Sequence, residues 1–313
     1  MGRARDGLAL PALQGRLADH RRRGRRDAGN AGRAPRQPDQ EEPVPGALAG
    51  AERDHRPVER GVNSAKVWAC GDYERVAERL APVHDQLVAR LQPRAGERWL
   101  DVATGTGAVA IRAAQAGADV VGVDITPELL VQARAKSDGL LARFDLGDAQ
   151  DLPYEDASFD VVASCFGAIF GPDQGAVAHE LARVCRSGGR LGLTAWHAND
   201  ELDGVYERAG VDVPAQDPDP VLWSDEGHLG RLLGKSFELE LVPGVWRVVM
   251  ESPKAVWEWW SSVVPPFVAL LNGLDPERRE AFRREYTAFA ERHRTREGVE
   301  LRRDYVLVLG RRR

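Results

Sequence analysis

The stretch DVATGTGAVA, residues 101–110, decides the fold. Before it, Arg98-Trp99-Leu100 opens a buried strand, expected over residues 99–103; after it, residues 108–116 read as a helix. A strand that turns into a helix through Gly-x-Gly lets a ligand approach the backbone closely, because no Cβ stands in the way. The N–H groups at a helix start have no intrahelical partner and face such a ligand. The turn is therefore expected to hold a nucleoside-type group.

Outward from this turn, short apolar runs alternate with helical patterns. A second strand is expected over residues 119–124, then a helix to Lys136 entered through Thr126-Pro127-Glu128, with Pro at its first turn. A third strand falls near 140–144 and a fourth at 159–165. A helix near 175–185 follows, which Ser187-Gly188-Gly189 stops, and a fifth strand at 190–196. On the N-terminal side, Val76, Leu80, Val83, Leu87 and Leu91 recur at three- and four-residue steps, one amphipathic helix over 73–91 kinked at Pro82. Continuous apolar strands alternating with helices argue for a parallel sheet covered on both faces. The last third differs. Residues 237–250 read as one extended strand or two and residues 305–309 as another, a terminal antiparallel pair. Between them lie an aromatic-rich segment, 256–260, and a charged helix over 276–294. The expected class is α/β, a doubly wound, mostly parallel seven-stranded sheet with a terminal antiparallel pair. Residues 199–221 and 253–298 are expected as helical lid insertions.

Residues 1–61 stand apart. The first sixty contain no Ser, Thr, Phe, Trp, Tyr, Ile or Cys, and carry 13 Arg and no Lys against 9 Asp and Glu. Such a segment buries little and is expected to be disordered. It reads as a non-functional extension rather than as a basic tail for nucleic acid. The domain is expected at 62–313. Net charge is −5, and the rest of the chain is acidic, with 30 basic against 39 acidic residues. An acidic body disfavours a nucleic-acid substrate. Three unpatterned cysteines, Cys70, Cys165 and Cys185, argue against a disulfide framework and a zinc site and for a reducing, cytoplasmic setting. No apolar run approaches the length of a membrane span. The oligomeric state is left open.

Gly105-Thr106-Gly107-Ala108-Val109-Ala110 fits the G-x-G-x-x-G/A dinucleotide fingerprint. Asp101 opposes that reading, since an ionised carboxylate beside the loop repels a pyrophosphate. The order of later motifs adds to the case: Val123-Asp124-Ile125 at the end of the second strand, Gly147-Asp148-Ala149 with Leu152-Pro153, Phe159-Asp160-Val161-Val162, and Leu181 to Arg190. Together with residues 101–107 these resemble the motifs of class I S-adenosylmethionine-dependent methyltransferases, the broad group that includes ubiquinone/menaquinone-type and small-molecule enzymes. The resemblance covers about residues 64–200 well and the remainder in outline.

What the resemblance implies can be set out by residue. Asp101 and the loop Ala103, Gly105 and Gly107 lie beside the cationic groups of S-adenosylmethionine. Asp124, 19 residues after Gly105, accepts from the ribose hydroxyls, although the same carboxylate also suits NAD and also caps a helix. Ile125 packs on the adenine; Asp148 and the Ala149 N–H meet its edge. Tyr73, in the segment Trp68 to Tyr73, reaches the amino-acid end. Cys165 lies after the fourth strand near the transferred methyl, in apolar surroundings that suit an inert thiol. His197, after the fifth strand, is the general-base candidate. A base adds roughly 10²- to 10⁴-fold when the nucleophile carries a proton, while alignment alone supplies much of a methyl transfer. Trp257 and Trp260 share a helix face, as lid packing or as an apolar acceptor wall. No metal ligand set is expected. The expected function is methyl transfer to a small apolar or aromatic acceptor. An NAD(P)-dependent oxidoreductase and a non-catalytic S-adenosylmethionine-binding protein stand as alternatives.

Overall fold

The computed structural model describes residues 59–212 and 216–313, all within the compact unit His55–Arg313. In chain order these form α1 (Glu59–Trp68), α2 (Tyr73–Arg79), α3 (Ala81–Leu91), β1 (Arg98–Val102), α4 (Ala108–Gln115), β2 (Asp119–Asp124), α5 (Pro127–Lys136), β3 (Ala142–Leu146), β4 (Phe159–Cys165), α6 (Gln174–Val184) and β5 (Cys185–Trp196). Then come α7 (Asp200–Arg208), α8 (Glu226–Leu232), β6 (Phe237–Met250), α9 (Pro253–Val263), α10 (Pro265–Asn272), α11 (Pro276–Arg292) and β7 (Val299–Arg312). Except for 59–61, which open α1, the extension expected at 1–61 lies outside the described residues.

The seven strands make one sheet in the order β3-β2-β1-β4-β5-β7-β6. The first five are parallel; β7 runs antiparallel between β5 and β6. In β1, Trp99, Leu100 and Val102 are fully buried, as a strand covered on both faces requires. One face packs against α3, α4 and the helices α9 to α11, the other against α6 and α8. Each large apolar side chain enclosed there contributes roughly 1.5–3 kcal/mol.

Several expected boundaries shift for identifiable reasons. The single helix expected over 73–91 is two, broken at Leu80, with Pro82 in the first turn of α3, where its missing N–H breaks no helix bond. β5 starts at Cys185, directly after α6. Gly188, at φ +70, bends the strand instead of ending a helix before it. β6 is one strand of 14 residues, and β7 extends the five residues expected to 14 because it is paired on both sides. Asp160, before the buried part of β4, is structural: it accepts from the Arg98 N–H at 2.8 Å and pairs with Arg186.

The helices of the last third enclose an aromatic core of their own. Trp257 meets Phe267, Phe282 and Tyr286, with centroids 5.8–6.0 Å apart, and Trp260 lies 6.3 Å from Tyr286. The tryptophan pair thus consolidates α9 against α10 and α11.

At the opposite end of the strands, Arg190 joins three segments. Its guanidinium donates to Glu97 at 3.0 and 2.6 Å and to the Leu91 carbonyl at 2.9 Å, tying β5 to the end of α3 and the entry to β1. The side chains are 17% and 14% exposed, so water screens the pair only partly. Arg190→Ala is expected to lower unfolding free energy by roughly 1–3 kcal/mol, because it strands Glu97 and a helix-end carbonyl. Urea denaturation followed by circular dichroism measures it, and an unchanged midpoint would refute it.

Candidate functional site

β1, β2, β3 and β4 end on the same edge of the sheet, and a cavity of about 270 Å³ opens there. The chain leaves β1 through a sharp turn with Ala103 at φ +54, Gly105 at φ +56 and Gly107 at φ +82. A Cβ on Gly105 would lie 2.6 Å from the Tyr73 ring, so Tyr73 packs against bare backbone. Gly167, after β4, is as constrained: a Cβ there would lie 2.4 Å from that of Ala103. The loop after β4 therefore reaches the turn after β1 only because Gly167 lacks a side chain.

The Asp124 carboxylate fastens this edge. One oxygen accepts the Gly105 N–H at 2.8 Å, the other the Thr126 N–H at 2.9 Å. It thereby fixes the turn after β1 to the entry of α5 while one side lines the cavity. Burial raises its pKa, opposed by these hydrogen bonds. Asp101 has another task than the one read from the sequence. Its carboxylate is 1% exposed, accepts from the Thr104 hydroxyl at 2.6 Å and the Ala110 N–H at 3.0 Å, and does not line the cavity. It faces inward because the turn curls back over it. Two amides expected to meet a ligand, those of Gly105 and Ala110, are thus already taken by carboxylates.

Of the other residues singled out in the sequence, Tyr73, Ala103, Gly105, Ile125, Asp148 and Ala149 line the cavity, and Gly107, Cys165 and His197 do not. Gly107 instead supplies the left-handed start of α4. The Cys165 thiol is buried, accepts from the Thr194 hydroxyl at 3.4 Å and is pushed up to about 12 by burial, so it is an inert packed thiol. The His197 N–H donates to the Asp304 carbonyl at 3.1 Å, which continues the pairing of β5 with β7 by one residue. The Tyr73 hydroxyl is pushed up by burial, with Cys165, Asp124 and Asp101 adding to the effect, and stays protonated at neutral pH.

Sequence reasoning missed the rest of the wall. Leu129 on α5 lies one turn beyond Ile125, a spacing that signals a shared face. Gln150 clamps Asp148: its N–H and side-chain amide donate to that carboxylate at 2.9 and 3.1 Å, while its own carbonyl accepts the Asp173 N–H at 2.8 Å. Trp68, Phe170 and Gln216 close the outer side. Trp68 stands 6.0 Å from Tyr73 and 5.1 Å from Phe170, centroid to centroid. No local pattern marks these, since three separate segments supply them. Among the described residues the lining holds two carboxylates and no Lys or Arg, and no cluster of His, Cys, Asp and Glu is arranged to hold a metal.

Residues 100–189 match the family model for a methyltransferase domain. An uncharacterized protein of Mycobacterium tuberculosis is 41% identical over 178 residues, 54% of this chain and 64% of the relative. An uncharacterized methyltransferase of the same species is 38% identical over 153 residues, 49% of this chain and 60% of the relative. The chain therefore spans less than two thirds of the length of these relatives. The solved structure of a Bacillus halodurans protein, 22% identical, superposes with a TM-score of 0.51 over 73% of this chain and 97% of that one. Residues 100–189 are thus similar to a methyltransferase domain, and the described sheet shares its fold with that solved structure. S-adenosylmethionine is the cofactor that domains of this class use.

One property of the turn is open to measurement. Burial raises Asp101 to about 7, with Asp124 adding to it and the bonds from Thr104 and Ala110 opposing. A carboxyl raised on folding favours the folded state below its unfolded pKa, near 4, and loses that contribution as pH rises toward 7. Asp101→Asn does not ionise. The melting temperature of the variant relative to wild type is expected to rise between pH 4.5 and pH 8. A constant difference across that range would show that Asp101 does not titrate as its burial requires.

Proposed function

We propose that this protein transfers a methyl group from S-adenosylmethionine to a small, apolar or aromatic acceptor. The observation that carries the reading is the charge of the cavity wall: Asp124 and Asp148 with no cation beside them. The ribose contact of Asp124 suits either cofactor, but the negative field of such a wall, taken as a whole, favours one that carries an ammonium and a sulfonium over one that carries a pyrophosphate. The commitment of the Gly105 amide to Asp124 points the same way, because it removes the N–H that a dinucleotide phosphate needs. An NAD(P)-dependent oxidoreductase is disfavoured on both counts.

The residues fit the cofactor part by part. Each Asp124 oxygen keeps a lone pair for a ribose hydroxyl after accepting one backbone N–H. Ile125 and Leu129 offer an apolar slot for the adenine, and Asp148, held in place by Gln150, an acceptor at its edge. Tyr73, Ala103 and Gly167 bound the end toward β4, and Trp68 and Phe170 exclude water from it. Bound S-adenosylmethionine supplies an electrophilic methyl on its sulfonium. The chain supplies the geometry. Among the described residues lining the cavity, none combines a position beside Phe166 and Gly167 with a pKa suited to taking a proton: Tyr73 stays protonated, and the carboxylates serve the other end. Alignment and exclusion of water therefore carry the rate.

Asp124→Ala is expected to weaken S-adenosylmethionine binding about 10- to 100-fold, from the loss of one or two charge-assisted bonds. Titration calorimetry against NAD decides the class at the same time. Saturable NAD binding without S-adenosylmethionine binding would overturn the reading. His197→Ala is expected to leave methyl transfer within about threefold of wild type, measured with labelled cofactor against a panel of phenols, quinones and small acids. A loss of several hundredfold would restore His197 as the base.

A further inference from the structure

The end of the cavity toward β4 is walled by rings. Phe166, the first residue after β4, lines it in a left-handed conformation, φ +56, that a bulky side chain rarely adopts. Strain of this kind persists only where the surroundings over-determine it. Here the Phe166 N–H donates to the Thr194 hydroxyl at 2.9 Å, and its ring stacks on Trp196, 3.7 Å between centroids and 1° between planes. Tyr73 and Phe170 line the same cavity, and Trp68 lies 6.0 Å from the first ring and 5.1 Å from the second. Four aromatic residues therefore bound one small space.

The charge of this space is as one-sided as its surface. Asp124 and Asp148 line it, and among the described residues that do so there is no Lys, Arg or His. Asp124 lies close to the ring end, since Gly105, whose N–H it accepts, is the residue against which Tyr73 packs. S-adenosylmethionine brings an ammonium, a sulfonium and a carboxylate, one net positive charge, so the loaded cavity still holds an uncompensated carboxylate. An anionic acceptor adds a second uncompensated charge in a partly dry site, and is opposed. A phenol or an aliphatic ammonium has to lose a proton before it attacks, and Tyr73, the titratable group beside Gly105, stays protonated itself. The nucleophile that suits this wall is uncharged and free of a proton at neutral pH. A pyridine-type ring nitrogen meets both conditions, and its ring suits the aromatic wall. A thioether meets the conditions of charge and proton without offering a ring.

We propose that the methyl acceptor is an aromatic heterocycle that presents a pyridine-type nitrogen, recognised by the rings of Trp68, Tyr73, Phe166 and Phe170 and by the negative charge of the cavity wall. In the transfer, the nitrogen lone pair forms the new N–C bond to the methyl carbon as the C–S bond breaks, and the C–S electron pair stays on sulfur. The positive charge passes from sulfur to nitrogen, no proton is released and no base is needed. The charge of the loaded cavity is the same before and after, and aromatic faces attract the cation that forms. This assignment rests on the methyltransferase reading above and adds to it the charge type and the nucleophilic atom of the acceptor.

The test titrates three bicyclic probes of similar shape calorimetrically into the full chain with S-adenosylhomocysteine bound: the cation N-methylisoquinolinium, the neutral N-methylisoquinolone and the anion naphthoate. The cation is expected to bind about tenfold more tightly than the neutral ring, and naphthoate most weakly of the three. Trp68→Leu keeps an apolar side chain and removes an aromatic face. It is expected to weaken the cation about threefold or more and the neutral ring by less. With S-adenosylmethionine labelled in its methyl group, kcat/KM for isoquinoline is expected to exceed that for naphthol about tenfold or more at neutral pH. Naphthoate binding as tightly as the cation, equal binding of cation and neutral ring, absent transfer to isoquinoline, or naphthol methylated as well as isoquinoline would each overturn the proposal. Should Trp68→Leu fail to fold, the order of the three probes in the wild-type chain decides it. Failure of the methyltransferase reading shows separately, as absent binding of S-adenosylhomocysteine, whereas failure of the acceptor assignment leaves that binding intact.

Discussion

The two hydrogen bonds that Asp124 accepts, from Gly105 and Thr126, are the constraint on which the cavity depends. They join the loops after two neighbouring strands through a single buried carboxylate. A neutral side chain of similar size would hold one amide well and the other poorly. An ionised carboxylate holds both and still leaves lone pairs for a ligand. Three alternate positions of the turn, Ala103, Gly105 and Gly107, are left-handed, and the strain at Ala103, the one that is not glycine, is tolerated because this clamp and the inward bonds of Asp101 over-determine its shape.

From that clamp the rest of the site follows in layers. Tyr73 settles on Gly105 because no Cβ is present, Trp68 stands edge-on to Tyr73, and Phe170 meets Trp68. The outer wall is therefore an aromatic chain seated on backbone. Glycine at 105 thus shapes the cavity twice, once through its own turn and once by fixing how far the N-terminal helices approach.

The parallel half of the fold was legible because its signals are local. Period, caps and Gly turns lie within a few residues of one another, and Asp124, Ile125, Asp148 and Ala149 fall where such signals place them. Asp101 shows the limit of that reasoning. Its position beside the loop was right, but whether a carboxylate points to ligand or to backbone is settled by the curl of the following turn, which no residue type declares. His197 follows β5 as expected but does not line the cavity, and its N–H pairs with β7, about a hundred residues later, a partner that no local signal announces. Trp68, Phe170 and Gln216 escape notice because distant segments bring them together. The tryptophan pair on α9 suits a lid core or an acceptor wall equally by spacing alone, and the partners Phe282 and Tyr286 on α11 make it core.

The placement of β7 between β5 and β6 has a consequence for how the molecule forms. β6 is synthesised some fifty residues before the strand it pairs with, and it pairs with no other. Until β7 arrives, the edge of β5 and the whole of β6 present open main-chain groups. Closing the sheet requires one insertion that pairs both at once. Arrival of β7 also brings Arg303 and Tyr305 to the Trp196 ring at the end of β5, so one late event completes the sheet and this aromatic contact together. Nascent chains halted before that strand would expose sticky edges, the kind of surface that chaperones shield and that aggregation exploits.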